Sequence, residues 1–177
     1  MILTELELIE RSKAIRILFS DVDGILTDGR LVYGTDQIET KEFNVRDGLA
    51  VKLWRGCGYP FGLITARQSE AVMRRASELS VDHLIQKQPH KLQAIIETIK
   101  PLGLSLEEVC YIGDDLHDLS AVKAVGLGAT VADAAEEVID MADFQTDSKG
   151  GFGALRELVQ TILKAKNEWK GAIQSFY

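Results

Sequence analysis

The stretch Asp21-Val22-Asp23-Gly24-Ile25-Leu26-Thr27-Asp28-Gly29 directly follows a short apolar run, residues 15–20, that predicts a buried strand. Two later apolar runs, residues 61–64 and 109–112, also end at polar residues, Thr65 and Gly113-Asp114-Asp115. Strand-like and helix-like segments alternate through most of the chain, which predicts an α/β fold with a doubly wound parallel sheet. Ligands bind such sheets beyond the carboxyl ends of the strands, where these polar residues fall.

The rest of the pattern fills in this fold. Segments 31–33 and 38–43 flank Gly34-Thr35-Asp36-Gln37 and predict a β-hairpin. Further strands are predicted at 83–85 and 126–131, with an edge strand at 143–146. Helices are predicted at 47–55 (ending at Gly56), 68–79, from Pro89 to before Pro101, and at 116–124, 134–139 and 153–166. We expect one domain over residues 1–177, with a hairpin at 30–43 and a tail at 167–177.

Composition excludes several classes of function. The formal net charge of −7 argues against a general nucleic-acid binder, which needs a basic surface. The acidic N-terminus is unlike a signal peptide, and no apolar stretch approaches the length of a membrane span. The two cysteines, Cys57 and Cys110, have no metal-site spacing and fit a reducing cytoplasm. We therefore expect a cytoplasmic protein with neither nucleic acid nor membrane as a partner.

The polar residues that follow the strands suggest chemistry when they are taken together. Alone, an Asp-x-Asp-Gly is more often a turn or cap, Thr65 could cap a helix, and Lys91 could be solvated. Asp114, Asp115 and Asp118 could likewise cap a helix. Several acids at one sheet edge would repel one another, however, and a hard cation such as Mg²⁺ is the simple remedy.

Four motifs in this order resemble the haloacid dehalogenase superfamily. The first is Asp21 to Gly29, the second is the strand-end Thr65, the third is Lys91, and the fourth is Gly113-Asp114-Asp115 followed by Asp118. The resemblance implies a phosphatase in which Asp21 is the nucleophile and Asp23 the general acid and base. It also implies that Mg²⁺ is held by Asp21, the Asp23 carbonyl and Asp114, with Asp118 orienting a bound water. Thr65 and Lys91 would hold the phosphoryl oxygens.

Further segments resemble one capless branch of this superfamily, the phosphatases of 3-deoxy-D-manno-octulosonate 8-phosphate, which serve lipopolysaccharide synthesis. They are Lys41 to Gly48, Leu63 to Arg67 and Gly150 to Glu157. The resemblance implies a phosphorylated 2-keto-3-deoxy sugar acid as substrate and a homotetramer in which a hairpin covers a neighbour's site. Two departures from the branch are Ala66, which replaces the usual glycine, and the pair Lys87 and His90, which precede Lys91 where smaller or neutral residues are common and which would alter contacts with the sugar.

Five residues are candidates for binding the substrate: Thr27, Asn44, Arg46, Asp47 and Arg67. Of these, Arg46 and Arg67 suit a carboxylate or hydroxyls, and the alternative for each is a surface ion pair. In the tail, Trp169, Ile173, Phe176 and Tyr177 have roughly helical spacing, so they should pack on their own chain or on a neighbouring subunit.

Three other functions remain alternatives. A nine-carbon, sialic-acid-type 9-phosphate would need the same chemistry. A phospho-receiver domain also clusters Asp, Thr and Lys, but its acceptor Asp follows a middle strand. A non-catalytic oligomerisation module would be expected to lose the motif acids, which this chain keeps.

Overall fold

The computed structural model describes residues 2–35 and 38–177. Within them, six parallel strands form one sheet in the order β5-β4-β1-β6-β7-β8. These strands are β1 (Ile17–Ser20), β4 (Phe61–Ile64), β5 (His83–Ile85), β6 (Val109–Ile112), β7 (Leu127–Thr130) and β8 (Phe144–Gln145). The predicted doubly wound α/β fold is confirmed.

Helices cover both faces of the sheet. They are α1 (Glu5–Ala14), α2 (Val45–Gly56), α3 (Glu70–Leu79), α4 (Lys91–Ile99), α5 (Leu119–Ala124), α6 (Glu136–Met141), α7 (Ala154–Ala165) and α8 (Trp169–Ala172). One buried cluster contains residues of α2, α3 and α7, and the other contains residues of α4, α5 and α6. Side chains of β1 alternate between them, because Leu18 joins the first cluster while Ile17 and Phe19 join the second. None of the described helices is long and apolar enough to cross a bilayer.

The hairpin between β1 and α2 is shorter than the pattern predicted. Its strands are β2 (Val32–Tyr33) and β3 (Glu39–Thr40), paired antiparallel with Val32 opposite Thr40. Two residues of its predicted turn, Asp36 and Gln37, lie outside the described residues. The hairpin is separate from the main sheet, and Lys41, directly after β3, contacts Asp23 in the segment after β1.

Several predicted helix boundaries are wrong. The glycine with positive φ after α2 is Gly58 (φ +86°), one residue beyond the C-cap Cys57, rather than Gly56. Pro89 precedes α4, whose N-cap is His90, and the segment predicted at 116–124 begins with one 3₁₀ turn, Leu116–Asp118. The pattern missed α1, although Thr4 and Glu7 form its capping box.

The tail folds into α8 and a 3₁₀ turn, Gln174–Phe176. Trp169 packs against the core, with the Arg156 guanidinium 4.8 Å from the centre of its ring. At the end of the chain Phe176 and Tyr177 are 63% and 99% exposed. Packing on the same chain therefore accounts for Trp169 but not for the two terminal aromatics.

Candidate active site

Three carboxylates meet at the carboxyl ends of β1 and β6, the central strands of the sheet. From β1 the chain continues to β4 and β5 on one side, and after β5 it crosses back to β6 on the other side of β1, so the gap between β1 and β6 is the topological switch point where α/β sheets bind ligands. The Asp21 backbone N–H donates to the Ile112 carbonyl at 3.0 Å, which joins the two strand ends. Carboxylate oxygens of Asp21, Asp114 and Asp118 all lie within 4.8 Å of one another. This spacing allows one cation to be shared.

Burial and mutual repulsion make this cluster unfavourable when it is fully charged. Burial, followed by the charge of Asp118, raises the pKa of Asp21 to about 6, although Lys91 opposes the shift. Burial and then the charges of Asp21, Asp118 and Asp115 raise the pKa of Asp114 to about 8. A bound divalent cation would relieve both effects. The donor set is entirely carboxylate, which Mg²⁺ prefers, so the residues present fit this metal.

Lys91, the first residue of α4, extends beneath the cluster. Its side chain is 1% exposed, and its Nζ lies 2.7 Å from Asp21 Oδ1 and 3.4 Å from Asp118 Oδ1. Nζ also donates to the Ile64 carbonyl at 2.9 Å, next to the buried Thr65, whose Oγ1 accepts from the Arg67 N–H at 3.1 Å. Lys91 of the third motif thus contacts Asp21, and Thr65 of the second motif follows the residue whose carbonyl accepts from Lys91.

The fourth motif is rigid because Asp118 is bonded on several sides. The Tyr111 hydroxyl donates to its Oδ1 at 2.5 Å, while the backbone N–H groups of Asp114 and Asp115 donate to its Oδ2 at 3.0 and 3.3 Å. Gly24 is required opposite this loop, because its φ is +88° and a Cβ there would overlap the Asp114 carboxylate. The two loops therefore pack closely only with glycine at this position.

Asp23 points toward the hairpin instead of joining the carboxylate cluster. Its Oδ1 pairs with the Nζ of Lys41, which also lies 3.1 Å from Glu39 Oε1. Glu39 in turn accepts from Arg67 Nη2 at 2.6 Å, and the same nitrogen donates to the Tyr33 hydroxyl at 3.2 Å. The predicted metal contact of Asp23 through its backbone carbonyl stays a prediction.

A cavity of about 290 Å³ opens over these groups. Residues of all four motifs line the cavity: Asp21, Asp23, Gly29, Thr65, Ala66, Arg67, Lys91, Asp114, Asp115, His117 and Asp118. A larger cavity of about 580 Å³ lies between the hairpin and α3, and shares Glu39 and Lys41 with the ion-pair chain. The reactive groups converge in the smaller cavity.

Of the five predicted substrate-binding residues, only Arg67 lines this cavity. Thr27 is buried in the first loop, where its Oγ1 accepts from the Gly29 N–H at 3.3 Å. Arg46 is exposed and borders a separate cavity with Phe152 and Arg156.

Asn44 and Asp47 hold the backbone of this chain together. Asn44 is the N-cap of α2, and its Nδ2 donates to the Gly151 carbonyl at 3.1 Å. Asp47 accepts from the backbone N–H groups of Gly153 and Arg156 at 3.2 and 2.9 Å. Within one chain these contacts give both residues a structural role, and contact with substrate stays a prediction.

Sequence patterns missed three residues that shape the site: Glu39, Lys41 and Tyr111. Tyr111 belongs to an apolar strand run, where it resembles an ordinary core residue. Glu39 and Lys41 alternate with Thr40 in the hairpin, so both could have been placed on one face of it.

Comparison with known proteins gives a consistent result. The profile of haloacid dehalogenase-like hydrolases matches residues 64–157. The 3-deoxy-D-manno-octulosonate 8-phosphate phosphatase of Yersinia pestis is 39% identical over 166 residues, which cover 94% of this chain and 89% of that protein. The Escherichia coli K12 enzyme of the same name is 38% identical over 92% of this chain and 86% of its own length.

Solved structures agree with these relatives. The Moraxella catarrhalis 3-deoxy-D-manno-octulosonate 8-phosphate phosphatase, in complex with magnesium, phosphate and KDO, has a TM-score of 0.95 and 42% identity, covering 97% of this chain and 98% of that one. The cobalt-bound Haemophilus influenzae deoxy-D-mannose-octulosonate 8-phosphate phosphatase has a TM-score of 0.86 and 34% identity, covering 90% and 93%.

Proposed function

Because the chain belongs to the haloacid dehalogenase-like hydrolases and, within them, to the 3-deoxy-D-manno-octulosonate 8-phosphate phosphatases, we propose that it hydrolyses this eight-carbon sugar-acid phosphate. The observation that carries the proposal is the pairing of Asp21 with Lys91 inside a carboxylate-lined cavity. A nucleophilic carboxylate beside a buried ammonium is suited to receive a phosphoryl group, whose charge the ammonium partly neutralises.

The chain's own residues divide the reaction into two displacements. Asp21 attacks phosphorus while Asp23 gives a proton to the departing sugar oxygen, which leaves an aspartyl-phosphate. Asp23 then takes a proton from water as the water attacks phosphorus, and Asp21 is regenerated. Lys91 and Thr65 bind phosphoryl oxygens throughout, because both line the cavity that contains Asp21.

Mg²⁺ would be held by Asp21, Asp114 and the Asp23 backbone carbonyl, and Asp118 would orient this set. When bound, the ion neutralises charge on the transferring phosphoryl group and on the cluster. Lys91 keeps Asp21 Oδ1 in place at 2.7 Å, so the other oxygen of this carboxylate remains free to attack. Tyr111 fixes Asp118 from the strand below.

Arg67 is positioned to recognise the carboxylate of the sugar acid. It lines the cavity, and its Nε is buried with no hydrogen-bond partner among the described residues. The Arg67 side chain as a whole is 39% exposed, so part of its guanidinium is open to a ligand in the cavity. Arginine also binds carboxylates through two parallel hydrogen bonds.

Phosphate release from a panel of sugar-acid phosphates tests the proposed substrate. We expect kcat/KM for 3-deoxy-D-manno-octulosonate 8-phosphate to exceed that for a nine-carbon, sialic-acid-type 9-phosphate by roughly 10-fold or more, the discrimination that a one-carbon difference in size gives in a fitted pocket. Equal or better turnover of the nine-carbon ester would assign the chain to that substrate. An Arg67→Met variant should lose most of the preference for carboxylated esters.

Assembly as a homotetramer of one-domain subunits is supported by apolar groups that one chain leaves exposed. Val32 and Tyr33 of the hairpin are exposed, as are the terminal residues Phe176 and Tyr177. A cytoplasmic location is supported by the two free thiols, Cys57 and Cys110.

A further inference from the structure

A lysine from the hairpin reaches the second aspartate of the nucleophile loop. Lys41 Nζ pairs with Asp23 Oδ1, and this is the only described ion pair of the Asp23 carboxylate. We propose that Lys41 is a positioning residue for the phosphatase reaction, which orients Asp23 toward the leaving oxygen of the sugar. The inference rests on the proposed function in one respect, the role of Asp23 as the proton donor.

The ammonium of Lys41 is held too tightly to act as a mobile surface charge. Its side chain is 1% exposed, while the Asp23 and Glu39 side chains that flank it are 20% and 14% exposed. A buried ammonium is unfavourable unless it is paired on all sides, so these two carboxylates fix where Nζ can lie. Lys41 therefore acts as a rigid support for Asp23.

The support is anchored at its other end to the loop after β4. Arg67 Nη2 donates to Glu39 at 2.6 Å and to the Tyr33 hydroxyl at 3.2 Å, so both hairpin strands are bonded to this loop. The hairpin thus connects the loop of Asp23 with the loop of Thr65 and Arg67. Any shift of the hairpin would move the proton donor relative to the phosphoryl-binding groups.

Orienting Asp23 affects one step of the reaction, the cleavage of the P–O bond between phosphorus and the sugar oxygen. As the P–O bond to the sugar breaks, its electron pair stays on the sugar oxygen and phosphorus bonds to an Asp21 oxygen. The proton that Asp23 carries on Oδ2 moves to the sugar oxygen, which leaves Asp23 as the carboxylate that pairs with Lys41. With Oδ1 of Asp23 held by Lys41, Oδ2 is the oxygen that can face the leaving group. An aryl phosphate such as p-nitrophenyl phosphate needs little proton donation, because its leaving oxygen is already stable as an anion.

The test compares two leaving groups in Lys41→Met. The ratio kcat/KM reports only steps up to the first irreversible one, which is transfer of the phosphoryl group to Asp21, so it isolates this bond. We expect kcat/KM for the sugar-acid phosphate to fall roughly 10- to 100-fold, within the range of general acid catalysis, and for p-nitrophenyl phosphate to fall about 3-fold or less. Lys166→Met is the matched control, because Lys166 is a partly buried lysine near Tyr59, remote from the cavity.

A double-mutant cycle with Asp23→Asn establishes whether Lys41 acts through Asp23. If it does, adding Lys41→Met to Asp23→Asn causes little further loss with the sugar phosphate. The positioning role would be overturned if the losses of the two single variants multiplied in the double variant. It would also be overturned if Lys41→Met lowered kcat/KM equally for both substrates, or left kcat/KM for the sugar-acid phosphate unchanged or raised. Lys41→Arg, which keeps the charge, should recover part of the lost kcat/KM for the sugar-acid phosphate. If its kcat/KM were no higher than that of Lys41→Met, the positioning role would also be wrong.

Failure of the underlying function is distinguishable from failure of this inference. If Asp23→Asn alone showed no dependence on the leaving group, Asp23 would not be the proton donor, and the proposed mechanism would fall. Circular dichroism and the thermal midpoint verify that each variant is folded. Should Lys41→Met not fold, Lys41→Gln is compared on the same two substrates: it removes the charge but keeps a donor for Asp23, so we expect a smaller loss, still confined to the sugar-acid phosphate, and an equal loss on both substrates would overturn the positioning role.

Discussion

The carboxylate cluster predicts an inverted pH dependence of stability in the metal-free protein. Burial and repulsion raise the pKa of Asp114 from 3.8 to about 8. The unfolded chain releases this proton near the lower value, whereas the folded chain keeps it until the pH approaches the higher one. Between these limits the folded state binds more protons, so its free energy of unfolding decreases as the pH rises.

The size of this decrease follows from the raised pKa. Each pH unit between the two values costs about 1.4 kcal/mol, so the interval from about pH 5.5 to about pH 8 has an upper limit of about 3.5 kcal/mol. Solvent reaches part of Asp114, which reduces the expected loss to about 1–3 kcal/mol. Asp21, whose pKa is raised to about 6, contributes to the decrease in the free energy of unfolding only at the lower end of this interval.

Urea unfolding in the presence of a chelator measures this effect at several pH values. Asp114→Asn should flatten the decrease, because the amide has no proton to release. Asp82→Asn serves as control: Arg55 lowers the pKa of Asp82, so this carboxylate is charged throughout the interval and its removal leaves the slope unchanged. Adding Mg²⁺ should restore wild-type stability at pH 8 by mass action. If Asp114→Asn kept the wild-type slope, the charge repulsion inferred for the cluster would be wrong.

The remaining predictions concern activity, metal binding and assembly. Asp21→Asn should abolish turnover in a protein that stays folded by circular dichroism, and beryllofluoride should bind the wild type; near-normal phosphate release would refute the nucleophile. Exhaustive chelation should remove activity and Mg²⁺ should restore it, so full activity without divalent metal contradicts the metal site. Tyr111→Phe should weaken Mg²⁺ binding about 10-fold by calorimetry, because Asp118 loses an orienting bond, whereas Tyr59→Phe should not. Truncation after Lys166 should alter kcat or KM of a tetramer; a fully active monomer by light scattering would exclude a role between subunits.

The sheet was predictable because buried parallel strands have continuous apolar runs that end at polar residues. β1, β4 and β6 each carry four buried residues, so their runs were visible. Helix ends were less predictable, since Pro89 and Gly56 occur near two of them without forming the caps. α1 lacked a clear signal because it is rich in charge and has one fully buried residue, Ser12.

The acids, Thr65 and Lys91 were predictable because they belong to motifs at strand ends. Lys41 was not assigned a role because its partner Asp23 is 18 residues away and the contact depends on how the hairpin folds back. Asn44 and Asp47 were predicted to bind substrate because they are polar residues within a motif, but the contacts that they make in one chain are structural. Their caps and backbone contacts to Gly151, Gly153 and Arg156 emerge only when α2 and α7 pack together.

The junction of β1 with β6 has a consequence for how the active enzyme comes into being. Asp21 and Asp114 belong to opposite halves of the sheet, and the hydrogen bond from the Asp21 N–H to Ile112 closes only when these halves pair. A nascent chain that has folded its first three sheet strands therefore has a nucleophile but no complete metal site. Hydrolysis therefore requires that β6 has paired with β1, so a chain in which only β1, β4 and β5 have folded cannot turn over substrate.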